Sequence, residues 1–360
     1  MALGHKSYGS NSGGSLVPKL GLLLPLGPMA TAADIARRGV EAEAAGFDSA
    51  WVIEDYYSWE CFSSLGYLAA KTERIALGVS VTTPYIRPAA LLASAAATLD
   101  QFANGRFHMG IGRCTGTMLG QIGIVDHKPL TTMRETTEAC RALWQGGEVS
   151  YHGDVVTIDR VVPDVVPVNG RVPVYYGAIG PKALRQAGAV AEGIIITGFA
   201  PVPYVRWAVE QARAGAIESG RDPDALEVIA IISTRITDQK AVAIDELKPW
   251  LGLAYGMSGR GELLLTGSDA DLGALEPIRE RLKIDEILAD GLEPYLHAYK
   301  RVSPADVAGV VPAEWVEQAS IIGDEADARA RLAEYVAVGV THVIVDSPQD
   351  AEDLYRAFAS

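Results

Sequence analysis

A (β/α)8 barrel with a helical insertion before its last strand is the fold class this sequence predicts, on three observations. Eight short apolar runs alternate with helical patterns from residue 19 to the end. The runs are continuously apolar, as strands are when helices cover both faces of a parallel sheet. No linker cuts the 360 residues into independent units, and no internal repeat is visible.

The elements follow in order. Residues 1–15, MALGHKSYGSNSGGS, read as a flexible leader, and 16–360 as one barrel domain. The first strand candidate is KLGLLLPL (19–26). Thr31 and Asp34 have capping-box spacing for the helix after it, and Gly46 closes that helix. SAWVI (49–53) and IALGVSV (75–81) are the second and third strands. Leu92, Ala96, Leu99 and Ala103 then recur at helical spacing until Asn104-Gly105, and FHMGIG (107–112) is the fourth strand. Residues 148–168 break the rhythm as a hairpin excursion. VPVYYGA (172–178), GIIIT (193–197) and LEVIAIISTRI (226–236) resume it. Residues 237–320 exceed any single βα connection and read as the helical insertion. Gly323-Asp324 starts a helix with Ala328, Leu332, Tyr335 and Val336 on one face, Gly339 ends it, and THVIVD (341–346) is the eighth strand.

Composition bounds the partners. Hydrophobic residues at 49% and charged ones at 21% describe an ordinary globular protein. No apolar run has the roughly 18–20 residues that span a bilayer, and the leader has no signal-peptide core, so a cytoplasmic location is the default expectation. With 31 basic and 45 acidic residues the net charge is −14, which argues against nucleic acid or an anionic membrane as partner. Cys61, Cys114 and Cys140 are an odd, scattered set, and the six histidines form no ligand pair, so neither a disulfide framework nor a metal site is expected.

In such a barrel the C-terminal strand ends carry the chemistry. After the second strand, Glu54, Asp55, Tyr56, Tyr57 and Trp59 are either a solvated loop or an acid beside a flat apolar wall. After the third, Pro84 stops or bulges the ladder beside Thr82 and Thr83. After the fourth, Gly110, Gly112 and Gly116 let a ligand approach the backbone, and Arg113 is a ligand clamp or the partner of a nearby carboxylate. After the fifth, Gly177-Ala178-Ile179-Gly180-Pro181-Lys182 runs into a helix whose N-terminus suits phosphate. The sixth ends at Thr197-Gly198.

Four stretches carry a resemblance: GFDSAWVIEDYYSW, the block from Ile75 to Gly112, VPVYYGAIGPKALRQAGAVAEGIIITG, and IIGDEADARARLAEYVAVGVTHVIVD. Together they resemble the luciferase-like superfamily, within it the coenzyme F420-dependent branch of methylenetetrahydromethanopterin reductase and F420-dependent dehydrogenases. The resemblance implies a TIM barrel with the deazaflavin across its C-terminal rim, FMN being the alternative cofactor. It implies a third-strand bulge with a non-prolyl cis peptide at Ser80-Val81 behind the ring, and Thr83 at the ring edge. Gly177, Ala178, Ile179 and Gly180 would cradle the phosphate, with Thr197 nearby. Glu54, Asp55 and Trp59 occupy positions where the branch has Asp, His and Trp, so the resemblance implies that proton transfer passes to Asp55 or Glu54 or is lost, with Tyr56, Tyr57 and Tyr85 as alternative donors. Thr115 stands where the sugar-phosphate dehydrogenase has a glutamate, which argues against sugar-phosphate oxidation. Arg113, Lys182 or Arg185 would supply a positive rim for the anionic coenzyme. The implied function is hydride transfer with a small-molecule or natural-product substrate, as a reductase, in a homodimer. The alternatives are an FMN-dependent monooxygenase and a non-catalytic binding protein.

Overall fold

The structure, a computed structural model, describes residues 17–25, 30–54, 59–294 and 302–359. Eight parallel strands close into a barrel: β1 (Lys19–Leu23), β2 (Ser49–Val52), β3 (Ala76–Thr82), β4 (Phe107–Gly112), β7 (Val174–Gly177), β8 (Gly193–Ile196), β9 (Glu227–Ile236) and β11 (His342–Asp346). Sequence neighbours pair throughout, β8 pairs with β9, and β11 lies between β9 and β1. The excursion over 148–168 is the antiparallel hairpin β5 (Val149–His152) and β6 (Thr157–Val161). A three-residue strand, β10 (Ile321–Gly323), extends the pairing of β9 beyond the barrel wall.

The helical jacket has the ends its sequence specifies. In α1 (Ala32–Ala45) the Thr31 hydroxyl accepts from the Asp34 N–H while the Asp34 carboxylate accepts from the Thr31 N–H, and Gly46 closes the helix at φ 107°. On α3 (Ala89–Phe102), Leu92, Ala96 and Leu99 are buried. Among its described residues the insertion includes α8 (Lys240–Gly256), α9 (Arg260–Leu264), α10 (Leu275–Leu282), α11 (Ile284–Ala289) and α12 (Ala313–Ala319). After β10, α13 (Glu325–Ala337) starts on the Asp324 cap and buries Ala328, Leu332 and Tyr335. Among the described residues no helix is long and apolar enough to cross a membrane.

Strand alternation divides the core. Inward-facing Trp51, Tyr175, Ile195, Ile229 and Ile344 fill the lumen, and the larger cluster lies between strands and helices. Trp51 is fully buried because its neighbours leave room: a Cβ on Gly78 of β3 would stand 2.2 Å from the indole. At the N-terminal end the lumen is closed by His108, His342 and Tyr175. His108 stacks on Tyr175 at 5.6 Å, and Ser49 Oγ bridges Trp51 Nε1 at 2.7 Å and His342 Nε2 at 2.8 Å. Below them Glu227 accepts from the Tyr175 hydroxyl and from Lys19 Nζ.

Candidate active site at the C-terminal mouth

The third strand departs from its ladder where the sequence turns from apolar to hydroxylic. Its register with β4 runs Val79 to Met109 and then Thr82 to Ile111, one residue more on β3, and the Ser80–Val81 peptide is cis. The extra residue turns Val81 into the lumen. A Cβ on Gly112 would stand 2.5 Å from Val81 Cγ2, and one on Gly177 3.0 Å from Val81 Cγ1. Gly112 is therefore glycine to admit Val81 as much as to admit a ligand. Thr83 is buried and donates to the Arg113 carbonyl at 3.2 Å, tying the ends of β3 and β4 together.

Glu54 does not face this mouth. On β2, Ser49, Trp51 and Ile53 alternate inward, so Glu54 follows Ala50 and Val52 toward the helices. One oxygen meets Arg87 Nη1 at 2.6 Å and the Cys61 thiol at 3.3 Å, and the other accepts from the Thr82 hydroxyl. Arg87 also pairs with Glu60, contacts Thr82 at 3.2 Å and lies 4.8 Å over the Phe62 ring. Glu60 caps α2 (Cys61–Ala69) by accepting from the N–H groups of Phe62 and Ser63. Glu54, Glu60 and Cys61 are close enough together to suggest a metal cluster, but the guanidinium already sits among them. Trp59 packs against the outer core, while Asp55, Tyr56, Tyr57 and Ser58 lie outside the described residues.

The charged residues expected at the rim are spoken for elsewhere. Arg113 is exposed and pairs with Asp126 at 2.5 Å, the carboxylate alternative rather than the clamp. Arg185 turns to Gln211 and Glu218, away from the strand ends, and Lys182 is exposed. Tyr85 donates to the His127 carbonyl. Among the described residues a cation does reach the strand ends from elsewhere: Arg260 of α9, whose Nη2 donates to Thr197 Oγ1 at 2.9 Å. It stands 63 positions from that partner in the chain, a separation no local motif reports.

The turn after β7 is shaped by helix packing and by an open helix start. Tyr204, on α7 (Val202–Glu218), donates to the Ile179 carbonyl at 2.9 Å, and Ala178 is buried. Gly180 begins α6 (Pro181–Val190) with no side-chain cap, and a Cβ there would meet nothing within 4 Å. The next loop is pinned from outside, with Tyr255 of α8 donating to the Phe199 carbonyl and Tyr335 of α13 to the Ala200 carbonyl. After β4, Thr115 caps α4 (Gly116–Gln121) and donates to Glu293 of the insertion at 2.6 Å.

Two further mouth groups escaped sequence reasoning, and alternation finds both. Ile53 points inward with Trp51 and is 42% exposed, an uncovered apolar face at the strand end. Asp346 continues the inward series His342, Ile344, and accepts from Ser233 Oγ at 3.1 Å. Burial raises the Asp346 pKa, opposed by the Ser233 hydrogen bond and by Arg235.

Comparison with known proteins agrees with this architecture. Residues 8–342 match the family model described as luciferase-like monooxygenase. The chain is 31% identical over 314 residues to 5,10-methylenetetrahydromethanopterin reductase of Methanolobus tindarius, covering 87% of this chain and 90% of that one. It is 30% identical over 236 residues to F420-dependent glucose-6-phosphate dehydrogenase of Nakamurella multipartita, covering 61% and 69%. Among solved structures, the coenzyme F420-dependent tetrahydromethanopterin reductase of Methanopyrus kandleri superposes with a TM-score of 0.76 at 25% identity, over 95% of this chain and 97% of that one.

Proposed function

The chain belongs to the luciferase-like monooxygenase family, and from that premise we propose that it is a coenzyme F420-dependent oxidoreductase that reduces a small organic acceptor. The observation that carries the reading is a pair of unlike walls on one mouth. An uncapped helix start with Arg260 and Thr197 beside it offers an anion seat, and the β3 bulge with Val81 and Ile53 offers an apolar seat. A cofactor with a phosphate tail and a flat ring system fits both at once.

The residues divide the work as follows. Gly180 leaves space, and the N–H groups of Lys182 and Ala183 at the start of α6 are free of the i−4 ladder, so they hold phosphate. Arg260 adds charge on one side and Thr197 a hydroxyl. Val81, set by Gly112 and Gly177, backs the ring, and Thr83 fixes the edge of that wall through the Arg113 carbonyl. When bound, the deazaflavin gives or takes a hydride at C5 of its ring. Glu54 acts through Arg87: the pair fastens the segment after β2 to the start of α3, which makes it a positioning group.

The test is equilibrium binding followed by turnover. F420 is expected to bind with a dissociation constant of about 1 μM or tighter, and FMN at least about tenfold more weakly. Arg260→Ala should weaken F420 binding by about tenfold with the fold intact. The reduced coenzyme is then offered to a panel of carbonyl, imine and activated alkene compounds and its oxidation followed by absorbance. Tight FMN binding with none for F420 would replace this reading by the flavin monooxygenase one. F420 binding without turnover of any acceptor would favour a non-catalytic role.

A further inference from the structure

Asp346 is a carboxyl group at the floor of the mouth that the proposed function leaves without a task. It ends the last barrel strand, on the inward face shared with His342 and Ile344, three strands around the wall from the β3 bulge. Its residue is half-buried, one oxygen accepts from Ser233 Oγ at 3.1 Å, and among the described residues it takes part in no ion pair. Among the described residues the other oxygen has no hydrogen-bond partner, and it is not one of the fully buried polar atoms left without one. The charged groups around it come from three elements; Arg235 acts on the carboxylate through space, and among the described residues none forms an ion pair with it. Arg235 of β9 donates to the Thr234 carbonyl, approaches the Asp346 carbonyl at 3.5 Å, and has Glu246 of α8 at 3.7 Å. Arg38 of α1 donates to the Ser347 carbonyl at 3.3 Å, with Asp350 acting on Arg38. The strand on its other side, β1, presents Leu22 and Leu23.

We propose that Asp346 is the acid that protonates the acceptor during reduction, an inference that rests on the F420 reading above. The bond order of the acceptor's C=O, C=N or C=C group falls by one. Its carbon takes the hydride that the reduced coenzyme supplies, and the displaced electron pair on the neighbouring atom takes the proton from Asp346. Asp346 is left as the carboxylate, steadied by the Ser233 hydroxyl, and solvent at its open oxygen returns the proton. Coenzyme is oxidised, acceptor is reduced, and the proton balance closes. Burial, which favours the protonated form, keeps the acid loaded to a higher pH than an exposed aspartate would.

Two measurements test this, one of them independent of turnover. Infrared difference titration of the protonated-carboxyl band compares wild type with Asp346→Asn and Ser233→Ala. One carboxyl should titrate above the ordinary aspartate range, vanish in D346N and move further up in S233A, where a donor to the charged form is lost. An Asp346 that titrates in the ordinary range, or a band that D346N leaves in place, overturns the proposal. With the acceptor found in the turnover screen, D346N should lower kcat about 100-fold, abolish the alkaline limb of the pH profile, and leave the F420 dissociation constant within about twofold. Asp346→Glu should recover part of kcat. Retention of kcat and of the alkaline limb in D346N also overturns it. Failure of the wild type to bind F420 removes the reading of the whole site instead.

Discussion

The two ends of the barrel lumen are built on opposite principles. At the N-terminal end the polar groups are shut in: Trp51, His108, Tyr175 and His342 interlock, Ser49 bridges two of them, Glu227 gathers Tyr175 and Lys19, and only the Nδ1 atoms of His108 and His342 are buried there without a hydrogen-bond partner among the described residues. At the C-terminal end Ile53 is uncovered, α6 starts without a cap, and Asp346 has an open oxygen. The lower half holds the strands in register. The upper half leaves groups open at the strand ends, where solvent or a ligand can meet them. Conserving this division within one lumen lets the mouth stay underfilled without the barrel collapsing.

The comparison breaks most visibly at Trp51. Trp51→Ala empties a fully buried site between Gly21 and Gly78 and should cost about 3–5 kcal/mol in chemical denaturation. A smaller loss would mean that the lumen is held mainly by its helical jacket. The next effect lies beside the mouth but outside the lumen. Glu54→Gln leaves Arg87 facing a neutral partner and should cost about 3 kcal/mol, while the shape of the pH–rate profile stays that of the wild type. A stable E54Q with a changed profile would return Glu54 to a proton-transfer role.

The plug also predicts acid sensitivity. Burial pushes the His108 pKa down to about 4 and that of His342 to about 3, so the folded state favours both neutral imidazoles. Below pH 6.5 the unfolded chain binds protons that the folded chain refuses, so stability is fully present above that value and declines as pH falls toward 4 and 3. Denaturation midpoints measured from pH 7.5 to 4.5 should fall, and His342→Gln should flatten the slope. A pH-independent midpoint over that range would show that the plug admits water. The smallest effect sharpens the contrast with Trp51: Ile53→Ser, two residues along the same strand face, should change stability by no more than about 0.5 kcal/mol while weakening F420 binding.

How much of this could be read from the chain depended on how far apart the cooperating residues lie. The barrel, the capped helices and the hairpin rest on local periodicity and local caps, such as Thr31 with Asp34 and Asp324 with Asp327. The bulge at Ser80–Val81 came from likeness to a family, since a run of small and β-branched residues does not itself mark a lost register. Glu54 looked like a mouth residue because it follows a strand, although counting alternation from Trp51 sends it outward and Ile53 inward. The same count through THVIVD would have singled out Asp346. Arg260 was beyond reach: only the folded insertion brings it to Thr197, so the positive rim was assigned to Arg113, Lys182 and Arg185, which solvent and local partners occupy.

The tyrosine anchors on the loop after β8 have a practical consequence. Tyr255 and Tyr335 clamp the Phe199 and Ala200 carbonyls from two helices, while Arg260 reaches over the same edge. The ceiling above the pocket is thus fastened at points that belong to neither strand nor reactive group. Exchanging residues 265–292 for those of a relative, with Arg260 and both tyrosines kept, should then alter the covering of the mouth while leaving its floor and foundations as they are.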